Sequence, residues 1–349
     1  MEGEIRMDNI NKYRGCLIGG AIGDALGYSI EFDTIKEIKQ KYGEKGICEY
    51  DLTDGLAVVS DDTQMTMFTA NAIVNARLKN KSYIECIRES YISWLTTQES
   101  IYDCSKENDF WIMNNPSLYV RRAPGCTCLS AIVMGANGTI EKPINNSKGC
   151  GGIMRIAPIG LMKPNNKMNI DDIAYLASQS CALTHGHEMG FISCYFMAYL
   201  INLLAHNDNF TIKSAVETAL ESTFLKFKST MHIIEFVNLI NKAIDLSEIS
   251  IDDLSAIEKL GEGWVTEETA AIAVYCCLKY PNDFEKAIIE SVNHSGDSDS
   301  TGAVTGNILG SYIGIENIPD RFIDRLEHKN ILYKLSQDLY SSDNKHFSK

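Results

Sequence analysis

The chain has 349 residues, 45% of them hydrophobic and 22% charged, which is enough to bury a sizeable core and too apolar for a disordered chain. Its 32 basic and 46 acidic side chains give a formal net charge of −14 at pH 7. With no broad basic face to displace counterions from a phosphate backbone, nucleic-acid binding is excluded as its main business. The start Met1-Glu2-Gly3-Glu4 is acidic and lacks the apolar region of a signal peptide. Eleven irregularly spaced cysteines make no disulfide framework, so a reduced, cytoplasmic location is expected.

In chain order, the first feature is GCLIGGAIGDALG, with Gly15, Gly19, Gly23 and Gly27 at intervals of four, Asp24 inside the run and Glu31 just past it. Glycine costs about 1 kcal/mol against alanine inside a helix, so a ladder of four needs a reason. The interval follows one ridge of a helix, and a ridge without side chains lets another backbone approach closely. No strand precedes Gly15 and the spacing is not that of a phosphate turn, so this is not a dinucleotide fingerprint. Apolar residues three and four apart predict helices over about 61–78, 82–96, 173–181, 188–205, 211–227, 233–244, 265–279, 283–292, 299–313 and 322–340. Between them, 98–128 and 137–152 are rich in Asn, Gly, Pro and Ser yet carry Trp111, Tyr119, Arg121 and Arg122, the mark of functional loops rather than linkers. The most apolar stretch, Phe191 to Ala205, has the length of a core helix and is broken by Ser193 and Asn202, so no membrane span is expected. A second ladder, Gly302, Gly306, Gly310 and Gly314, closes the pattern. One all-α domain over 1–340 with long functional loops is expected, followed by a frayed tail over 341–349.

Two acidic turns open predicted helices: Ser60-Asp61-Asp62-Thr63-Gln64, and Asn293 to Thr301 with Asp297, Asp299 and Ser300. N-capping accounts for one acid at each start. Further acids repel unless a cation lies between them, and carboxylate and hydroxyl oxygens suit Mg²⁺, Mn²⁺ or Ca²⁺. The second turn begins like a calcium-binding EF-hand loop, but Ile308 stands at the twelfth position where a bidentate Glu is required. If the glycine helices pack antiparallel, Glu31 and the Asp297–Ser300 turn meet at one end.

The runs GCLIGGAIGDALGYSIEF (15–32), SDDTQMTMFTA (60–70), GCGGIMRIAPIG (149–160), LTHGH (183–187), GEGW (261–264) and HSGDSDSTG (294–302) together resemble the ADP-ribosylglycohydrolase family in content and order. The resemblance spans about 13 to 314 and implies an orthogonal all-α bundle holding two Mg²⁺ (or Mn²⁺) ions that cleaves ADP-ribose from a modified side chain. It implies metal ligands at Ser60, Asp61, Asp62, Asp297, Asp299 and Ser300, with Ser60 and Ser300 standing where threonine is common. It implies Glu31 as a ligand or gate, an ADP-ribose loop over Ser147, Lys148, Gly149, Cys150, Gly151 and Gly152, a pocket histidine at His185, and Trp264 against the adenosine half. Cys150 replaces a frequent Asn.

Each site residue also has a plainer reading. His185 and His187 lack further His or Cys partners for a tetrahedral zinc site. The glycines of 149–152 are either an ordinary loop or, beside Arg155, a pyrophosphate cradle, and Arg155 has an internal pairing as its alternative. Trp264 is either core or a stacking platform for adenine. Glycosidic cleavage at ribose passes through an oxocarbenium-like state; Glu31, Asp62 or Asp297 would take the proton from an activated water. The expected partner is an ADP-ribosylated protein or ADP-ribose derivative, with no nucleic acid or membrane and the chain acting as a monomer. Hydrolysis of another N- or O-glycoside, and a non-catalytic binding descendant, are the alternatives.

Overall fold

The computed structural model describes residues 9–344. Among them are sixteen α-helices and no strand, only isolated β-bridges. At the centre lie the two glycine helices, Asn9–Gly27 and Ser298–Ile313, packed antiparallel against each other. Their register is fixed glycine to glycine. A Cβ on Gly15 would fall 2.3 Å from the Gly310 carbonyl oxygen, on Gly19 2.5 Å from that of Gly306, and on Gly23 1.9 Å from that of Gly302. No side-chain carbon fits such gaps, so the glycines trade helix propensity for backbone-to-backbone contact. Asn307 locks the pair further, its amide donating to the Cys16 carbonyl at 2.8 Å across the bare surface of Gly20.

Around this pair pack the helices Asp61–Lys79, Glu188–His206, Thr266–Lys279 and Phe284–Val292, with Lys329–Asn344 closing on the first glycine helix. The Glu188–His206 helix is long and apolar enough to cross a membrane by composition, but 83% of its most apolar window is buried inside the fold. Every helix expected from periodicity is present, with three differences in detail. Gly314 is a left-handed cap (φ +75°) that ends its helix, not a fourth rung. The run expected over 322–340 is two helices, Asp320–Asp324 and Lys329–Asn344, parted where His328 takes φ +58°. The tail expected to fray from Ser341 stays helical to Asn344, because Asp343 is buried, pairs with Arg77 at 2.5 Å and accepts from the Tyr13 hydroxyl at 2.8 Å. Residues 345–349, and the Met1–Glu4 start, lie outside the described residues.

A candidate active site at one end of the glycine helices

Antiparallel packing brings the end of the first glycine helix to the start of the second. Glu31 follows a 3₁₀ turn, Tyr28–Ile30, just past Gly27. One of its carboxylate oxygens and one each from Asp297 and Asp299 lie within 4.8 Å of one another. Asp297 caps the second glycine helix, accepting from the Ser300 N–H at 3.3 Å, and Asp299 accepts the same N–H at 2.8 Å. The other acidic turn joins directly: the Ser300 hydroxyl donates to Asp62 at 2.8 Å, and the nearby Ser60 hydroxyl favours the charged form of Asp299. Ser60 also caps its own helix by accepting from the Asp62 N–H at 3.1 Å, while Asp61 accepts from the Gly125 N–H at 3.3 Å. Capping and clustering are therefore both true of these residues.

Asp24 is the residue whose part the sequence did not disclose. Fully buried on the first glycine helix, it accepts from the N–H groups of Ser60 and Thr63 at 2.9 and 3.0 Å and from the Thr63 hydroxyl. It thereby ties the Ser60–Asp62 turn to the glycine pair. Its signal was an acid inside an otherwise apolar ladder.

The loop over 147–152 also reaches the cluster. Cys150 N–H donates to the Trp264 carbonyl at 3.1 Å and Thr266 N–H to the Lys148 carbonyl at 2.9 Å, a short antiparallel bridge. Lys148 forms an ion pair with the buried Glu267. The Cys150 thiol touches Asp297 and Ser300, which connects loop and carboxylates. The GEGW segment is stitched in as well, with Asp297 N–H donating to the Glu262 carbonyl at 2.8 Å. Ser147 lies beside Thr127, hydroxyl to hydroxyl at 3.1 Å, and its carbonyl accepts from His187 N–H. His185 is buried beneath the glycines: a Cβ on Gly151 would lie 3.2 Å from its Cε1, and one on Gly149 3.6 Å from its Nε2. Trp264 is 37% exposed and stacks on the exposed Phe32, the neighbour of Glu31, at 5.9 Å and 19°. Arg155 takes its internal alternative, fully buried and turned to the core. His187 caps the Glu188–His206 helix and meets the ring of His232 edge-on.

The electrostatics are those of acids that need company. Burial first, then Asp299, Asp297 and Asp61, push the Glu31 carboxyl up to about 10. Burial and then Asp299 push Asp24 up to about 7 and hold Asp61, Asp62 and Asp297 well above the usual carboxylate range. Burial raises Asp299 too. Glu31 Oε2 is a buried atom with no hydrogen-bond partner among the described residues. Such a cluster carries either protons or a cation. An all-carboxylate and hydroxyl donor set fits a hard divalent ion.

This is an all-helical domain with an oxygen-rich acidic centre where two close-packed helices meet. A family model described as ADP-ribosylglycohydrolase matches residues 6–348, and the chain belongs to that family. It is 26% identical to the ADP-ribosylarginine hydrolase Tri1 of Serratia proteamaculans, covering 95% of this chain and 80% of that one. It is 21% identical to the human ADP-ribosylhydrolase ARH3, covering 95% and 93%. A solved structure titled as an ADP-ribosylglycohydrolase-related protein complex shares the fold, with a TM-score of 0.63 at 19% identity over 96% of this chain and 99% of that one.

Proposed function

We propose that the protein is a divalent-cation-dependent hydrolase that cleaves the glycosidic bond between ADP-ribose and a modified amino-acid side chain, releasing ADP-ribose. The observation that carries this is the triad Glu31, Asp297 and Asp299, with the orphaned Glu31 oxygen, opening on a loop of small residues. Two Mg²⁺ or Mn²⁺ ions would be held by Ser60, Asp61, Asp62, Asp297, Asp299 and Ser300, and would supply orientation of ribose hydroxyls and acidification of a water. Carboxylates around the reacting carbon would favour the positive charge that grows there as the bond breaks. Of the three candidate bases, Glu31, Asp62 and Asp297, Glu31 is favoured: Asp62 and Asp297 are already engaged by Ser300. The side-chain-free backbone of Gly149, Gly151 and Gly152 would admit a diphosphate between Ser147 and Cys150, with Lys148 held at its edge by Glu267. Trp264 would meet the adenosine half, with Phe32 as its neighbour. All eleven cysteines are unpaired, which supports a reducing, cytoplasmic setting, and we expect the chain to act as a monomer on an ADP-ribosylated protein or derivative.

The test is release of free ADP-ribose from peptides modified at a defined arginine or serine, in Mg²⁺, in Mn²⁺ and in chelator. Cleavage of at least one linkage that stops in chelator is expected. No release from any peptide with either ion would overturn the proposal.

A further inference from the structure

Arg155 is a charge in the wrong place for an ordinary structural arginine. Its guanidinium is completely buried, yet among the described residues no carboxylate pairs with it and its Nε has no partner. It lies on the face of Tyr91 at 4.3 Å, and Nη1 meets only the sulfurs of Met65 and Cys128, at 3.5 Å. Nη2 finds oxygen, in the Ser180 carbonyl at 3.4 Å and in the Thr184 hydroxyl. An uncompensated buried charge is costly, so its retention asks for a use.

Thr184 supplies one. Its Oγ1 accepts from Arg155, which has donors only, so the hydroxyl proton must point elsewhere. The acceptors within reach are His185 Nδ1 at 2.8 Å and the Cys181 carbonyl at 3.4 Å. The nearer is also electrostatically preferred, because a guanidinium behind Thr184 favours the ring's lone pair on its side over an N–H dipole. A ring that accepts at Nδ1 carries its proton on Nε2. Nε2 is the nitrogen that faces Gly149 and Gly151, and it makes no hydrogen bond among the described residues.

We propose that Arg155 and Thr184 form a relay that fixes His185 as the Nε2–H tautomer, so that the ring presents a donor to an oxygen of the ligand in the 147–152 loop. The ligand half rests on the ADP-ribose reading above. Burial and the same Arg155 charge keep the imidazole neutral, pushing it down to about 3, so the donor does not come with a titrating charge. Arg155 and Thr184 are positioning residues here; neither reaches the loop's open side.

Side-chain ¹⁵N–¹H correlation spectra locate the proton on His185, whose signals are assigned by their loss in His185→Gln. Calorimetric titration with ADP-ribose in Mg²⁺ reads the consequence. Wild type and Thr184→Ser are expected to show Nε2–H alone. Thr184→Val, which keeps the shape and removes the hydroxyl, is expected to populate Nδ1–H and to bind ADP-ribose roughly tenfold more weakly, the worth of one hydrogen bond. Arg155→Met is expected to shift the tautomer in the same direction, and Arg155→Lys to restore it in part. An Nδ1–H ring in wild type overturns the relay, as does a Thr184→Val protein that melts lower but keeps the wild-type tautomer and affinity. Wild type that shows Nε2–H but binds no ADP-ribose overturns the ligand half, and the proposed function with it, while leaving the relay standing.

Discussion

Glu31 Oε2 and the carboxylates facing it make the site's chemistry measurable before any substrate is added. Without a cation the folded state holds protons that the unfolded chain releases, since Glu31 sits at about 10 against an ordinary 4.5 and Asp24 at about 7 against 3.8. Below about pH 7 the buried histidines, which lose their protons on folding, oppose this effect; above about pH 7 they are neutral in both states, the native state binds more protons than the unfolded one, and stability in chelator falls as pH rises. Thermal melts in chelator at pH 7, 8 and 9 should show a decline that saturating Mg²⁺ or Mn²⁺ reverses. A flat profile would mean the acids are not held as described. At neutral pH an ion at about 100 times its Kd adds roughly 2.7 kcal/mol. For a chain of this length that is a rise of about 4 °C, taking roughly 2.1 cal/mol/K of unfolding entropy per residue. Asp299→Ala should lose most of that rise and most of the hydrolysis, yet melt no lower than wild type in chelator because it relieves repulsion. A mutant about 1 kcal/mol less stable in chelator, with a wild-type metal response, would mean capping alone.

Among the elements, the glycine helices carry the sharpest stability prediction. Gly306→Ala would set a Cβ 1.9 Å from the Gly19 carbonyl oxygen, and relief requires moving one helix. A loss of about 3 kcal/mol or more is expected in denaturant titrations. Gly125→Ala is the control: nothing lies within 4 Å of its added Cβ and its φ of −59° suits any residue, so its effect should stay within about 1 kcal/mol. The ladders were legible in the sequence because a four-residue interval has few other causes, and with them the meeting of Glu31 and the Asp297–Ser300 turn. Short helices such as Ile35–Tyr42, Cys126–Val133 and Asp253–Leu260 were not, since two turns are too few to establish a period. Asp24 was visible as an oddity without a role, because its partners Ser60 and Thr63 lie on another helix. Arg155 was undecidable for the same reason. Its neighbours come from residues 65, 91, 128, 180 and 184, and only folding brings them together.

For the whole molecule, the last helix is part of the load path rather than an appendage. Asp343 joins Arg77 of the Asp61–Lys79 helix and Tyr13 of the first glycine helix, both side chains of the ion pair being less than a tenth exposed. Asp343→Ala leaves the Arg77 charge buried without its partner, which should cost about 3 kcal/mol in equilibrium unfolding. A neutral Asp343→Ala would mean that the closing helix frays in solution.

The register of the glycine pair has a consequence for how such a site can change. Side chains are the ordinary means by which a protein widens or narrows a gap, and here there are none: the spacer between the two helices is the peptide backbone itself. The distance from the first helix to the Asp297 turn thus works like a machined tolerance, which mutation can spoil but not tune. Glu31, hung on the 3₁₀ turn beyond the last notch, is free of that gauge. Drift in cation preference or in the linkage attacked should accumulate there and in the loops, while the glycines stay as they are.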